Sequence, residues 1–152
     1  MCHTYTQIHI HVVFAVRNRD ALISSDWRDR LYHYMIAIIN DQGHKTLAIG
    51  GTANHVHILF GFRPTQSLSS LMLRLKRETS EWINKERLTK CRFQWQVGYG
   101  AFSYSKSHLP QVIRYIHNQE KHHEKKSFRE EYLDILKKNE VEYDERYVFN
   151  DV

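Results

Sequence analysis

An α+β protein built on one antiparallel sheet is predicted by three observations. Some segments alternate apolar and polar residues with period two, others repeat near 3.6, and the order of the switches is diagnostic. Across residues 5–16, Ile8, Ile10, Val12, Phe14 and Val16 share one face and Gln7, His9 and His11 the other, as a half-buried strand requires. Ser24 and Ser25 can cap a helix in which Trp27, Leu31, Met35, Ile38 and Ile39 recur at helical spacing, and Gly43 is placed to stop it. Residues 45–49 form a second strand, Gly50-Gly51 a turn, and 55–62 a third strand. Pro64 and Thr65 open a second helix with Leu68, Leu71, Met72, Leu75, Trp82 and Ile83 on its buried stripe. The aromatic-rich stretch 93–104 reads as a fourth strand. Ser107 begins a third helix, with Leu109, Val112, Ile113 and Ile116 inward, running towards Gln119. Ser127 and Glu130 make a capping box for a further helix ending near Lys138. Strand, helix, strand, strand, helix, strand is the ferredoxin-like split βαβ plan, here with a helical C-terminal addition.

Composition agrees with one domain over residues 1–152. Hydrophobic residues make up 41% and charged residues 26%, with 6 Gly and 2 Pro, a globular balance. No apolar run approaches the roughly 18 residues of a membrane span. The opening MCHTYTQIHIH has neither the basic nor the apolar region of a signal peptide. Cys2 and Cys91 form no metal or redox spacing, so the expectation is a cytoplasmic, nucleoid-associated protein with free thiols. Twenty-two basic against 17 acidic residues leave +5, which favours a polyanionic partner. Eleven histidines are many for this length, and the question is which of them converge.

His55-Val56-His57 sets two imidazoles on one face of the third strand while Val56, Ile58 and Phe60 fill the other. One divalent ion can bridge such a pair, although HxH alone equally describes two solvated side chains. His9-Ile10-His11 is co-facial in the same way on the first strand. First and third strands are neighbours in a ferredoxin-like sheet, so the pairs can share a face, either as a four-histidine site or as a metal-bearing face flanked by polar histidines. On the third helix Tyr115 and Gln119 are four apart and stack on one side, with His108 and His122 on the same stripe. As boundary residues these need no ligand. Beside a divalent ion, Gln119 offers a hard oxygen and Tyr115 a nucleophile for a phosphodiester.

The runs TANHVHILF, FQWQVGYGAFSYS and VIRYIHNQEKHH together resemble the single-tyrosine HUH transposases of small bacterial and archaeal insertion sequences. The resemblance extends from Tyr5 to the 143–149 segment, with HxH and YxxxQ in order on the corresponding elements. It implies His55, His57 and Gln119 as ligands of Mg²⁺ or Mn²⁺ and Tyr115 as nucleophile. It further implies cleavage of single-stranded DNA beside a hairpin, through a 5′-phosphotyrosine and a free 3′-OH, by a homodimer. Asn54 stands where members commonly carry Asp, and Tyr104-Ser105-Lys106-Ser107 lacks the glycine often found at the family's hinge. Asn54, His11 and His122 would line the site.

DNA contacts would come from Arg17 and Arg19 after the first strand, Arg74 and Arg77 with Lys76, Lys85 and Arg87 along the second helix, and Lys121 beyond the tyrosine. Individually such charges are usually solvated faces. Trp95, Tyr99, Phe102 and Tyr104 could stack bases, but packing is the simpler role for most. Four other readings stay open. The chain could be a domesticated HUH nuclease acting on chromosomal palindromes, or an initiator nuclease of replication or conjugation, which usually needs a longer chain. It could instead be a non-catalytic ferredoxin-like nucleic-acid-binding module, or a metal-binding protein using His9, His11, His55 and His57.

Overall fold

The computed structural model describes residues 3–144; Cys2 and residues 145–149 of the family-like C-terminal segment lie outside them. The elements run β1 (His9–Ala15), α1 (Arg28–Asp41), β2 (Lys45–Gly51), β3 (His55–Gly61), α2 (Leu68–Lys85), β4 (Gly100–Ser103), α3 (Leu109–His117), α4 (Gln119–His122) and α5 (Phe128–Lys138). Single 3-10 turns follow β1 and precede α3. The sheet order is β2-β3-β1-β4 with every neighbouring pair antiparallel. This is the ferredoxin-like α+β architecture that the alternation of periods predicts.

Register sorts the two faces. Val12 pairs with Ile58 and Phe14 with Val56, while Val13 pairs with His57 and Ala15 with His55. The first set joins Leu31, Met35, Ile39, Leu71, Leu75 and Ile83 in the main core under α1 and α2. The opposite face carries two smaller apolar clusters. Val13, Ala15 and Phe102 pack with Phe128, Tyr132, Ile135 and Leu136 of α5. Ala48 and Leu59 pack with Val112 and Ile116 of α3. The histidines lie between these clusters, on a sheet face covered by helices.

Four local expectations shift. Trp27, buried and just before α1, ends the approach to the helix, while Ser24 accepts a hydrogen bond from the Asp26 N–H within the preceding turn. The second helix starts at Leu68 because Ser67 Oγ accepts the Ser70 N–H at 3.1 Å; Pro64 and Thr65 belong to the turn before it. The fourth strand is only four residues long. Upstream of it, Trp95 bridges Val16 and the backbone turns at Gly98, where φ is +88°, a conformation that favours glycine. Phe93 and Trp95 instead cap the end of the main core. Finally, the third helix breaks at Asn118, whose φ and ψ are −99° and 19°, so Tyr115 and Gln119 sit on separate helices.

A fifth shift is that Gly50 and Gly51, expected as a turn, both lie in the β2 ladder, and there Gly50 sets how closely α3 approaches the sheet. It pairs with His57 across β2 and β3, and a Cβ there would lie 2.2 Å from the Ile116 carbonyl oxygen. The helix backbone thus rests on the strand itself, at the residue next to Tyr115.

Candidate functional site

His55, His57 and His11 project from the helix-covered face and are at most 1% exposed. Asn54 Oδ1 accepts a hydrogen bond from His55 Nδ1 at 2.7 Å, with Thr52 Oγ1 2.9 Å from the same nitrogen. The amide oxygen can only accept, so the proton sits on Nδ1 and Nε2 keeps its lone pair. Burial, reinforced by neighbouring His57, holds His55 well below the usual imidazole range, which keeps that lone pair free at neutral pH. His55 Nε2 faces Gln119 Oε1 at 3.0 Å, and the Gln119 amide is oriented by its own N–H bond to the Tyr115 carbonyl at 3.3 Å. Behind the pair, His11 Nε2 and His57 Nδ1 share a 2.8 Å hydrogen bond. Burial first, then His57, lowers His11 as well.

The side chain at the centre is one the motifs do not contain. Glu131 of α5 is 2% exposed. Its Oε1 accepts from His57 Nε2 at 2.9 Å and lies 3.7 Å from His55 Nε2. Its Oε2 accepts a short hydrogen bond from the Tyr115 hydroxyl and lies 3.2 and 3.1 Å from Nε2 of His122 and His123. Burial acts to raise the Glu131 carboxyl, but the contacts to His123 and His57 outweigh it and hold it well below the usual carboxylate range. Burial, then the charge and hydrogen bond of Glu131, push the Tyr115 phenol well above its ordinary value. A signal for Glu131 does exist in the sequence. It falls three residues after Phe128 and four before Ile135, inside the apolar stripe of α5.

A family model described as transposase IS200 like matches residues 4–119. The chain belongs to the IS200-like transposases. Among solved structures it is similar to a protein of Deinococcus radiodurans R1 described as a transposase. That match has 18% identity and a TM-score of 0.62, covering 78% of this chain and 95% of the other. A REP-associated tyrosine transposase bound to a REP hairpin is similar at 16% identity and a TM-score of 0.57, covering 76% of this chain and 68% of the other. At these identities the likeness is one of fold. No curated protein matches the sequence significantly.

In this IS200-like transposase the tyrosine borders a cavity of about 920 Å³ lined by His11, Tyr104, His108, His122 and Glu131 among others. Exposed His108 hydrogen-bonds to Ser105 at the cavity's edge, 2.7 Å away. His9 pairs with Gly61 at the far end of β1, and the candidate metal-holding groups among the described residues include neither it nor His11. His44 is structural: it accepts the Arg63 N–H at 2.9 Å and stacks on Phe62. The basic residues do not form one patch. Arg17 and Arg77 border a groove of about 1000 Å³ between α2 and the 92–99 segment. Arg74 is engaged with Glu78 and lies 3.9 Å from Asp41. Arg19 ends the turn after β1 with φ at +54°, and Lys121 borders a separate cavity beside Gly50. Trp95 and Phe102 are buried in the cores, with Trp95 Nε1 donating to Thr79 at 3.0 Å. No helix among the described residues is long and apolar enough to cross a membrane.

Proposed function

We propose that this transposase cuts and rejoins single-stranded DNA at hairpin-flanked ends through a covalent 5′-phosphotyrosine. Tyr115 is the nucleophile, and His55, His57 and Gln119 hold Mg²⁺ or Mn²⁺. The observation that carries the reading is convergence. A strand, β3, and two helices separated by a break deliver the HxH and YxxxQ side chains to one buried cluster beside an open cavity. The donor set suits a divalent ion: a free imidazole lone pair at His55 faces an amide oxygen, an arrangement two neutral groups leave unsatisfied. An ion bound there withdraws charge from the scissile phosphate and stabilises the leaving oxygen.

This chain's own residues do the rest. Asn54 fixes the His55 proton on Nδ1, and His11 supports His57 from behind, as partners of metal-ligating imidazoles do. The Tyr115 oxygen attacks phosphorus in line. Its new bond to phosphorus forms as the bond to the 3′ oxygen breaks, and that oxygen leaves as a hydroxyl with the proton the phenol gives up. Rejoining is the reverse attack by a 3′-OH on the phosphotyrosine, so no nucleotide cofactor is consumed. His122 borders the cavity by which the strand reaches the tyrosine. Arg17, Arg19, Arg74, Arg77 and Lys121 supply phosphate contacts around a folded hairpin. The working unit is a single-domain chain acting as a homodimer on the nucleoid.

The test is a labelled hairpin oligonucleotide with Mn²⁺. Tyr115→Phe abolishes cleavage and covalent adduct while hairpin binding survives; an adduct retained in that variant would sink the assignment. The likeness to a REP-hairpin-bound relative favours one variant of the reading, a nuclease acting on chromosomal repeat palindromes. Adduct mapping on single-stranded DNA from the gene's flanks separates it from an element that moves itself.

A further inference from the structure

We propose that Glu131 is a protein ligand of the same divalent ion and that its second oxygen holds the Tyr115 hydroxyl beside that ion. The inference rests on the reading of His55 and His57 as an ion site and adds a residue beyond the matched stretch 4–119. Three ligand-type atoms already lie within reach of one another: an Nε2 from each of His55 and His57 and a carboxylate oxygen of Glu131. The His55 nitrogen offers a lone pair, because its proton is committed to Asn54. It nevertheless faces two oxygens, Gln119 Oε1 at 3.0 Å and Glu131 Oε1 at 3.7 Å. Around His55 Nε2 three electron-pair donors are gathered without a proton between them, which is what a cation brings together. The proton that His57 Nε2 gives to Glu131 in the empty site would have to leave for that nitrogen to ligate.

Charge points the same way. Two neutral imidazoles and an amide form an uncharged set, which leaves both positive charges of a hard cation unanswered in a buried site. A carboxylate answers one of them with the oxygen chemistry that Mg²⁺ and Mn²⁺ favour. The two oxygens of Glu131 have separate neighbours, Oε1 towards the HxH pair and Oε2 towards Tyr115. One side chain therefore sets the distance between the ion and the attacking oxygen, and α5 becomes part of the site.

The experiment titrates Mn²⁺ into the full chain and reads free ion by electron paramagnetic resonance, for the unmodified protein, Glu131→Gln and His57→Ala. Circular dichroism checks that each variant is folded. Glu131→Gln should weaken Mn²⁺ binding at least about tenfold, as loss of ligand charge does. Unchanged or tighter binding in Glu131→Gln, with binding lost in His57→Ala, overturns Glu131 as a ligand and leaves the histidine site standing. Binding untouched by His57→Ala overturns both. A measurement on the unsubstituted protein avoids dependence on variant folding. With glutamate ¹³C-labelled at the side-chain carboxyl, electron–nuclear double resonance should show a directly bonded Mn²⁺–¹³C coupling, and its absence overturns the proposal.

Discussion

Asn54 decides which nitrogen of His55 is free. Its amide oxygen takes the Nδ1 proton at 2.7 Å and so aims the opposite nitrogen at Gln119 and Glu131. An aspartate there would do the same and add charge. Asn54→Ala should therefore weaken Mn²⁺ binding about tenfold, and Asn54→Asp should bind at least as tightly as the unmodified chain; isothermal titration with Mn²⁺ reads both. At this scale the site is legible in part. His55 and His57 stand out because a strand's period of two puts them together opposite Val56 and Ile58, and the register bears out that placement. Glu131 does not, because the Phe128–Lys138 helix carries several acids and acids on helices usually face water. Only its position in the apolar stripe separates it from Glu130, and a stripe tolerates a carboxylate only where partners await it.

The helices that carry Tyr115, Gln119 and Glu131 owe their positions to contacts a hydrophobic pattern does not encode. α3 is amphipathic, with Val112 and Ile116 buried, so its existence and inner face follow from spacing. Its height above the sheet follows from Gly50, which reads in sequence as half of a turn. Gly50→Ala should destabilise the fold by about 1–3 kcal/mol, since the new methyl meets backbone that has no rotamer to yield. Gly61→Ala on β3 is the matched control, with nothing nearer than 3.9 Å to its Cβ. Urea midpoints of the two variants check the difference. The overlong fourth strand has a similar origin. Aromatic residues satisfy strand propensity whether they lie in a ladder or close the end of a core, and Phe93 and Trp95 do the latter. The break at Asn118 is invisible to spacing because YxxxQ suits a continuous helix. Turning the chain there lets Gln119 reach His55 while Tyr115 reaches Glu131.

Over the whole molecule, α1 and α2 close one face of the sheet over a conventional core, and α3 and α5 close the other over the polar cluster. The net charge of +5 is spread over several surfaces, with Arg17 and Arg77 at one groove and Lys121 at another cavity. A hairpin held by dispersed phosphate contacts should lose affinity steeply with salt, by about tenfold or more between 50 and 200 mM. Fluorescence anisotropy with a labelled hairpin measures the slope, and Arg77→Ala should make it shallower. The seat of α3 on β2 also governs how Tyr115 could be shared between copies. Lifting α3 to carry Tyr115 to a neighbouring copy would strip the cover from Ala48 and Leu59 and bare Val112 and Ile116, at about 1.5–3 kcal/mol for each large side chain exposed. An incoming α3 from a second copy would bring the same Ile116 backbone to the same glycine seat, so a mutual exchange of tyrosines would restore the cover that a one-sided transfer loses.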